Sequence, residues 1–189
     1  EPRSTRILAL KHVIRRGEKD QRFLDQVLDE HRIGSQLDHP CIRHIGKLLK
    51  KRRILKVTEL GLLMEHIDAS GLDAVPRLRS IDVVRVFTQI AEAVSSMHEK
   101  GFVHADLKPT NVLVAKNLVK VIDLGQACPI GTRKQRIQGT PGYIAPEQAH
   151  RKRITERTDV YNFGATLYWT MTREVIPTAL PPGSMDGPA

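Results

Sequence analysis

Residues 6–13 alternate between apolar and polar side chains, the period of a strand with one buried face. Residues 17–20 form a polar turn. A helix is predicted over residues 20–37, with Asp20 as N-cap and Phe23, Val27, Leu28 and Leu37 as its apolar stripe. His39-Pro40 ends it, because the residue before a proline is pushed out of the helical region. Two strands are predicted next, over residues 42–49 and 54–65, joined by a basic turn at residues 50–53.

The second part of the chain has a different rhythm. Residues 68–79, with Gly71 and Pro76, read as a connector. A long helix follows, capped by Ser80 and running to Lys100, with Gly101 as its stop. Its predicted buried face is Ile81, Val84, Phe87, Ile90, Ala91, Val94 and Met97. Two short strands, residues 112–114 and 119–122, flank a turn at Lys116 and Asn117. Residues 125–146 form a loop of unusual length. A last helix, capped by Thr158, is predicted over residues 159–171. The order of elements predicts an α+β, two-lobed architecture. Residues 1–67 form a small strand-rich part with a hinge at 65–67, residues 68–176 a mostly helical part, and residues 177–189 a Pro/Gly-rich loop or linker.

Composition narrows this only slightly. The chain has 189 residues, enough for one domain, and begins in the middle of a predicted strand, as an excerpt of a longer polypeptide would. No apolar run is long enough to span a membrane, and no leader pattern is present. The net charge of +9 is scattered, and aromatic residues make up only 4% of the chain, so no nucleic-acid partner is expected. Cys41 and Cys128 form neither a disulfide nor a metal pattern, and His39, Cys41 and His44 lack a second ligand pair.

The chemistry concentrates in residues 104–111, His-Ala-Asp-Leu-Lys-Pro-Thr-Asn, between the long helix and a short strand. Asp106 can accept a proton from an attacking hydroxyl. Lys108 can neutralise a transferring phosphate, and Asn111 can hold a metal ion. Phosphoryl transfer asks for little more than such positioning and charge neutralisation. His-x-Asp alone means little; with Lys108, Pro109 and Asn111 at these offsets it is hard to reach by chance. Asp123-Leu124-Gly125 follows at the end of an apolar strand, where a carboxylate and a permissive glycine suit a phosphate-bound Mg²⁺.

Together these residues resemble the catalytic loop and magnesium loop of the protein kinase family. Ala9-Leu10-Lys11 resembles the family's lysine-bearing strand, and Glu30 stands where the helix partner of that lysine is expected. Residues 139–147, Gly-Thr-Pro-Gly-Tyr-Ile-Ala-Pro-Glu, resemble the substrate-docking loop and the Ala-Pro-Glu motif. Residues 159–164 resemble the buried helix beneath the catalytic loop. The resemblance implies a eukaryotic-like serine/threonine kinase catalytic domain, truncated at both ends. It implies ATP and Mg²⁺ or Mn²⁺ as cofactors, and a protein substrate bearing serine or threonine. It places Met64 at the gatekeeper position and gives the backbone of Glu65 to Ile67 the adenine. Ala9 and Leu113 would sandwich the ring, although each of these also reads as core packing. Lys11 would contact the α- and β-phosphates, Asp123 and Asn111 would hold the metal, and the Thr140 hydroxyl would meet Asp106. Lys108 and Thr140 favour serine/threonine over tyrosine specificity. The implied location is the cytoplasm, alone or as the cytosolic part of a longer, membrane-anchored protein.

The chain departs from the family pattern in several places. A glycine-rich phosphate loop and a late arginine that would pair with Glu147 are not found. Ala105 replaces an arginine that in many kinases holds a loop phosphate, so activity without loop phosphorylation is expected; Thr132 is the only hydroxyl in residues 125–139. Leu124 replaces a phenylalanine. Gly34 replaces a bulky apolar residue, which predicts a loosened helix around Glu30. Two alternatives stay open: a pseudokinase serving as a nucleotide-binding or scaffolding module, and a small-molecule phosphotransferase.

Overall fold

The computed structural model describes residues 7–54, 56–116 and 118–177. Strands β1 (Leu8–Ile14), β2 (Ile45–Arg53) and β3 (Lys56–Glu65) form an antiparallel sheet in the order β1-β3-β2. The central strand, β3, is the most apolar, with Leu60, Leu62 and Met64 buried, as a strand with neighbours on both sides requires. On β1 the alternation turns Ala9, Lys11 and Val13 inward. The expected basic turn at 50–53 is strand instead. Arg53 pairs with Lys56, and the chain reverses beyond it, with Ile54 at φ 58°. Lys and Arg sit comfortably on the exposed face of an edge strand, so charge there did not mark a turn.

Helix α1 (Gln21–Gly34) packs across this sheet. It stops at Gly34 rather than Leu37. Asp20 stands at the N-cap position as expected, but its side chain makes no capping bond: its carboxylate points back and accepts from the amides of Arg16 (2.8 Å) and Gly17 (2.9 Å). The buried stripe is Leu24, Val27, Glu30 and Ile33, whereas Phe23 is exposed beneath the Arg22 guanidinium. Of the predicted stripe, Val27 and Leu37 are buried and Leu28 packs half-buried against the core, so only Phe23 departs from it, and Glu30 adds a charged residue to the buried face. Gly34 does not leave a gap. A Cβ there would run into Ile45 Cγ1 and approach Leu124, so Ile45 from β2 fills the space that a larger side chain would take.

The helical part is built on α2 (Ser80–Glu99) and α4 (Glu156–Thr172). Ser80 is the first helical residue of α2, not its cap; Arg79 precedes it and bonds Asp82 at 2.8 Å. Phe87, Ile90, Val94 and Met97 are buried as expected, joined by Val83, Val86 and Ala93, while Ile81, Val84 and Ala91 are exposed. Phe87 meets Phe163 of α4 edge to face, with ring centroids 5.2 Å apart. Helix α4 begins before Thr158, which lies buried in its first turn and donates to Glu147 Oε1 at 2.7 Å. That hydroxyl gives the Glu147 carboxylate a partner on α4.

Short strands complete the part. Ser70–Gly71 (β4), Val112–Ala115 (β6) and Leu118–Val121 (β7) form one sheet, and Phe102–Val103 (β5) pairs with Cys128–Pro129 (β8). Asn117, in the expected turn, and residues 178–189 of the expected linker lie outside the described residues. The two parts are stitched together where Val121 N donates to Cys41 O (2.7 Å) and Arg43 N to Val121 O (3.0 Å). The short helix α3 (Pro146–Ala149) closes the long loop. No helix among the described residues is long and apolar enough to cross a membrane.

Candidate active site

Three elements meet at Lys11. Strand β1 delivers its ammonium to Glu30 Oε2 of α1 at 2.7 Å and to Asp123 Oδ1 at 3.0 Å. Glu30 is 1% exposed, and its second oxygen accepts from Leu124 N at 3.3 Å. A carboxylate this deep is retained because both oxygens are bonded, one of them to a charge. Burial works against the Lys11 ammonium, but the Glu30 and Asp123 carboxylates outweigh it, and its pKa ends above the ordinary 10.5. Burial pushes the Asp123 carboxyl up; the charge and hydrogen bond of Lys11 push it further down, below the ordinary 3.8. Asp123 itself sits at φ 61°, a left-handed conformation uncommon outside glycine, with Gly125 N donating to its Oδ1 at 3.3 Å. The Asp123 side chain is 46% exposed, so it is ionised and open to solvent.

The second cluster hangs on the loop after β5. Lys108 Nζ lies 3.0 Å from Asp106 Oδ2 and donates to Thr140 Oγ1 at 2.7 Å. Thr140 in turn donates to Asp106 Oδ1 at 2.9 Å. Asn111 Nδ2 donates to the Asp106 carbonyl (2.9 Å) and to its Oδ2 (3.3 Å). Asp106 thus already holds one hydroxyl and one ammonium at hydrogen-bonding distance. The loop is fixed from below by Asp159 of α4, whose buried carboxylate accepts from His104 N (2.9 Å), Ala105 N (2.8 Å) and the His98 ring (2.8 Å).

Met64 is buried at the end of β3, opposite Ala9 in register. The Glu65 side chain turns away from this edge, accepting from Lys120 Nζ at 2.9 Å and His44 N at 3.1 Å. Ile67 lies just past β3, half-buried, and Leu113 lies on β6 beside β7. Among the residues the sequence singled out, the geometry therefore joins Lys11, Glu30 and Asp123 in one cluster. It joins Asp106, Lys108, Asn111 and Thr140 in another. Lys120 and Gln148, both buried and both holding site backbone or side chains, were missed, since neither type carries a sequence signature.

A divalent ion fits the donor set. Such an ion prefers one or two protein oxygens and completes its shell with phosphates and water. Asp123 supplies an ionised carboxylate, and the Asn111 amide, with its nitrogen committed to Asp106, has its oxygen left as donor.

The sequence model of the family described as protein kinase domain matches residues 1–179. The serine/threonine-protein kinase pkn3 of Myxococcus xanthus is 31% identical over 81% of this chain and 30% of its own length. CBL-interacting protein kinase 21 of Oryza sativa subsp. japonica is 34% identical over 79% of this chain and 33% of its own length. The tyrosine-protein kinase HTK16 of Hydra vulgaris is 33% identical over 82% of this chain and 20% of its own length. The chain spans a third or less of the length of these relatives.

Proposed function

The chain belongs to the protein kinase family, and we propose that it transfers the γ-phosphate of ATP to a serine or threonine hydroxyl of a protein. The observation that carries this reading is the triangle of Lys108, Thr140 and Asp106. Its edges of about 3 Å are what a hydroxyl, its proton acceptor and a neutralising cation need. The substrate hydroxyl takes a place beside Thr140 and attacks the γ-phosphorus. The bond from phosphorus to the β-phosphate oxygen breaks, ADP leaves, and the hydroxyl proton passes to Asp106. Lys108 lies beside the oxygens on which charge gathers. Lys11, held by Glu30, faces the other phosphates. Mg²⁺ or Mn²⁺, held by Asp123 and Asn111, neutralises phosphate charge when bound. The backbone of Glu65 to Ile67 receives the adenine between Ala9 and Leu113, behind Met64. In this reading residues 1–67 and 68–176 are the two lobes, and the reaction runs in the cytoplasm, where ATP is.

The choice of serine and threonine over tyrosine rests on Lys108 and Thr140, since both kinds of kinase occur among the relatives. A phosphotransfer assay of the full-length protein on generic protein and small-molecule acceptors tests the reading. Phosphoserine or phosphothreonine on protein is the expected product. Nucleotide binding without transfer to any acceptor would make the domain a pseudokinase, and transfer to a small molecule alone would overturn the substrate class.

A further inference from the structure

Gln148, the residue after the Ala-Pro-Glu motif, is 4% exposed and carries no charge to neutralise. Its amide nitrogen donates to the carbonyls of Ala105 (2.7 Å) and Gln138 (3.2 Å). Its amide oxygen accepts from Ala145 N (2.9 Å) and Asn162 Nδ2 (3.2 Å). The orientation of the amide follows from these partners, because a backbone N–H can only donate and a carbonyl can only accept. All four hydrogen-bonding positions of the side chain are filled. The four partners belong to the loop before Asp106, the long loop, the entry to α3, and α4.

Ala105 needs such a restraint. It adopts φ 60°, which a residue with a Cβ rarely takes unless its surroundings hold it there. Asp159 grips its N–H from one side and Gln148 its carbonyl from the other. The Ala105 carbonyl belongs to the peptide unit that leads into Asp106, so the direction of the Asp106 side chain depends on it. Around the methyl group lies an apolar cluster of Val103, Ala105, Cys128 and Ile154, with Ile130 against it. No cation from this position can reach a loop phosphate.

We propose that Gln148 is a positioning residue for phosphoryl transfer: its buried amide locks the Asp106 loop, the long loop and the Thr140 segment into one arrangement without a phosphate. The proposal rests on Asp106 being the proton acceptor. The restraint itself is independent of the chemistry, and the experiment separates the two.

The test uses the full-length protein with two substitutions. Gln148→Glu keeps both acceptor bonds but has no N–H for Ala105 or Gln138; Gln148→Leu loses all four. The expected result for Gln148→Glu is a fall in kcat of about 10- to 100-fold, the scale of a small misplacement of a reacting group. KM for ATP stays unchanged and the Ala145 amide keeps its protection from hydrogen exchange. Gln148→Leu is expected to lose kcat similarly and also to expose the Ala145 amide. Exchange over residues 104–107 is expected to rise in both. Wild-type kcat in Gln148→Glu would overturn the proposal, as would equal losses in kcat and ATP affinity. If the unmodified protein transfers no phosphate, the kinase reading fails. The lock is then judged by exchange alone, and wild-type protection of residues 104–107 in both variants would overturn it.

Discussion

The two halves of the site solve charge in opposite ways. The cluster around Lys11 joins three elements from both lobes through ion pairs, and two of its members, Lys11 and Asp123, are a third or more exposed. The cluster around Asp106 lies within the helical part and is more deeply buried; its one ion pair, to Lys108, is embedded in hydrogen bonds to a hydroxyl, an amide and the backbone. In the proposed reaction the charges of the open cluster exchange partners when phosphates and a metal arrive, whereas the buried cluster keeps the bonds it already has. On that reading one half is remodelled by ligand and the other stays as it is.

This contrast can be broken at several points. Asp123→Asn is expected to have the largest effect, abolishing Mg-ATP turnover in the full-length protein with circular dichroism unchanged. Full activity would remove the metal role from the open cluster. Asp106→Asn is expected to lower kcat by about 10² to 10⁴ while nucleotide affinity, read by calorimetry, stays the same. Equal loss of binding and turnover would show that the buried cluster is not confined to the chemical step.

A third substitution probes the packing between the halves. Gly34→Leu forces a side chain against Ile45 and Leu124 and is expected to cost about 1–3 kcal/mol in denaturant unfolding. Because Glu30 lies one turn earlier in α1, turnover is expected to fall as well.

The pH dependence should separate the halves more gently. The pKa of Asp123 is depressed, so its contribution to stability is present above 3.8 and is lost as pH falls through the lower folded value. The pKa of Lys11 is raised, so its contribution is present below 10.5 and is lost as pH rises through the higher folded value. The stability difference between wild type and Lys11→Met is thus expected to be flat from roughly pH 5 to 9 and to shrink at both extremes. A slope across neutral pH would mean that other groups govern the open cluster. The smallest effect is expected for Thr132→Ala, whose hydroxyl is already bonded to Pro129 O at 2.6 Å. Its rate should stay within about twofold of wild type, before and after phosphatase treatment, well inside the 1.4 kcal/mol that a tenfold change represents. A large drop would show that the long loop needs a phosphate after all.

Much of this arrangement could be read in the sequence because the candidate site residues are charged or amide residues at fixed offsets within short segments. Asp106, Lys108 and Asn111 share one loop, and Asp123 follows the next strand. What escaped was of two kinds. Helix faces were only partly read: in α1 a charged residue, Glu30, took a core position, and in α2 the buried face turned toward Val83 and Val86, all of its members being apolar. Buried polar residues that work through the backbone were also invisible. A glutamine or a lysine reads as surface unless its partners are known, and the partners of Gln148 lie up to 43 residues away. Charge likewise misled at residues 50–53, where an exposed strand edge tolerates what looked like a turn.

The contact of Gly34 with Ile45 has a consequence for how this sequence can change over time. A large residue at position 34 collides with Ile45, and a small residue at position 45 leaves Gly34 facing a void. Either replacement alone is a step downhill in stability, whereas the pair exchanged together, Gly34→Leu with Ile45→Ala, restores the volume. The two sites are therefore expected to be strongly epistatic, with the double variant more stable than either single one. A lineage that has taken the glycine on α1 is held to it by a neighbour on β2.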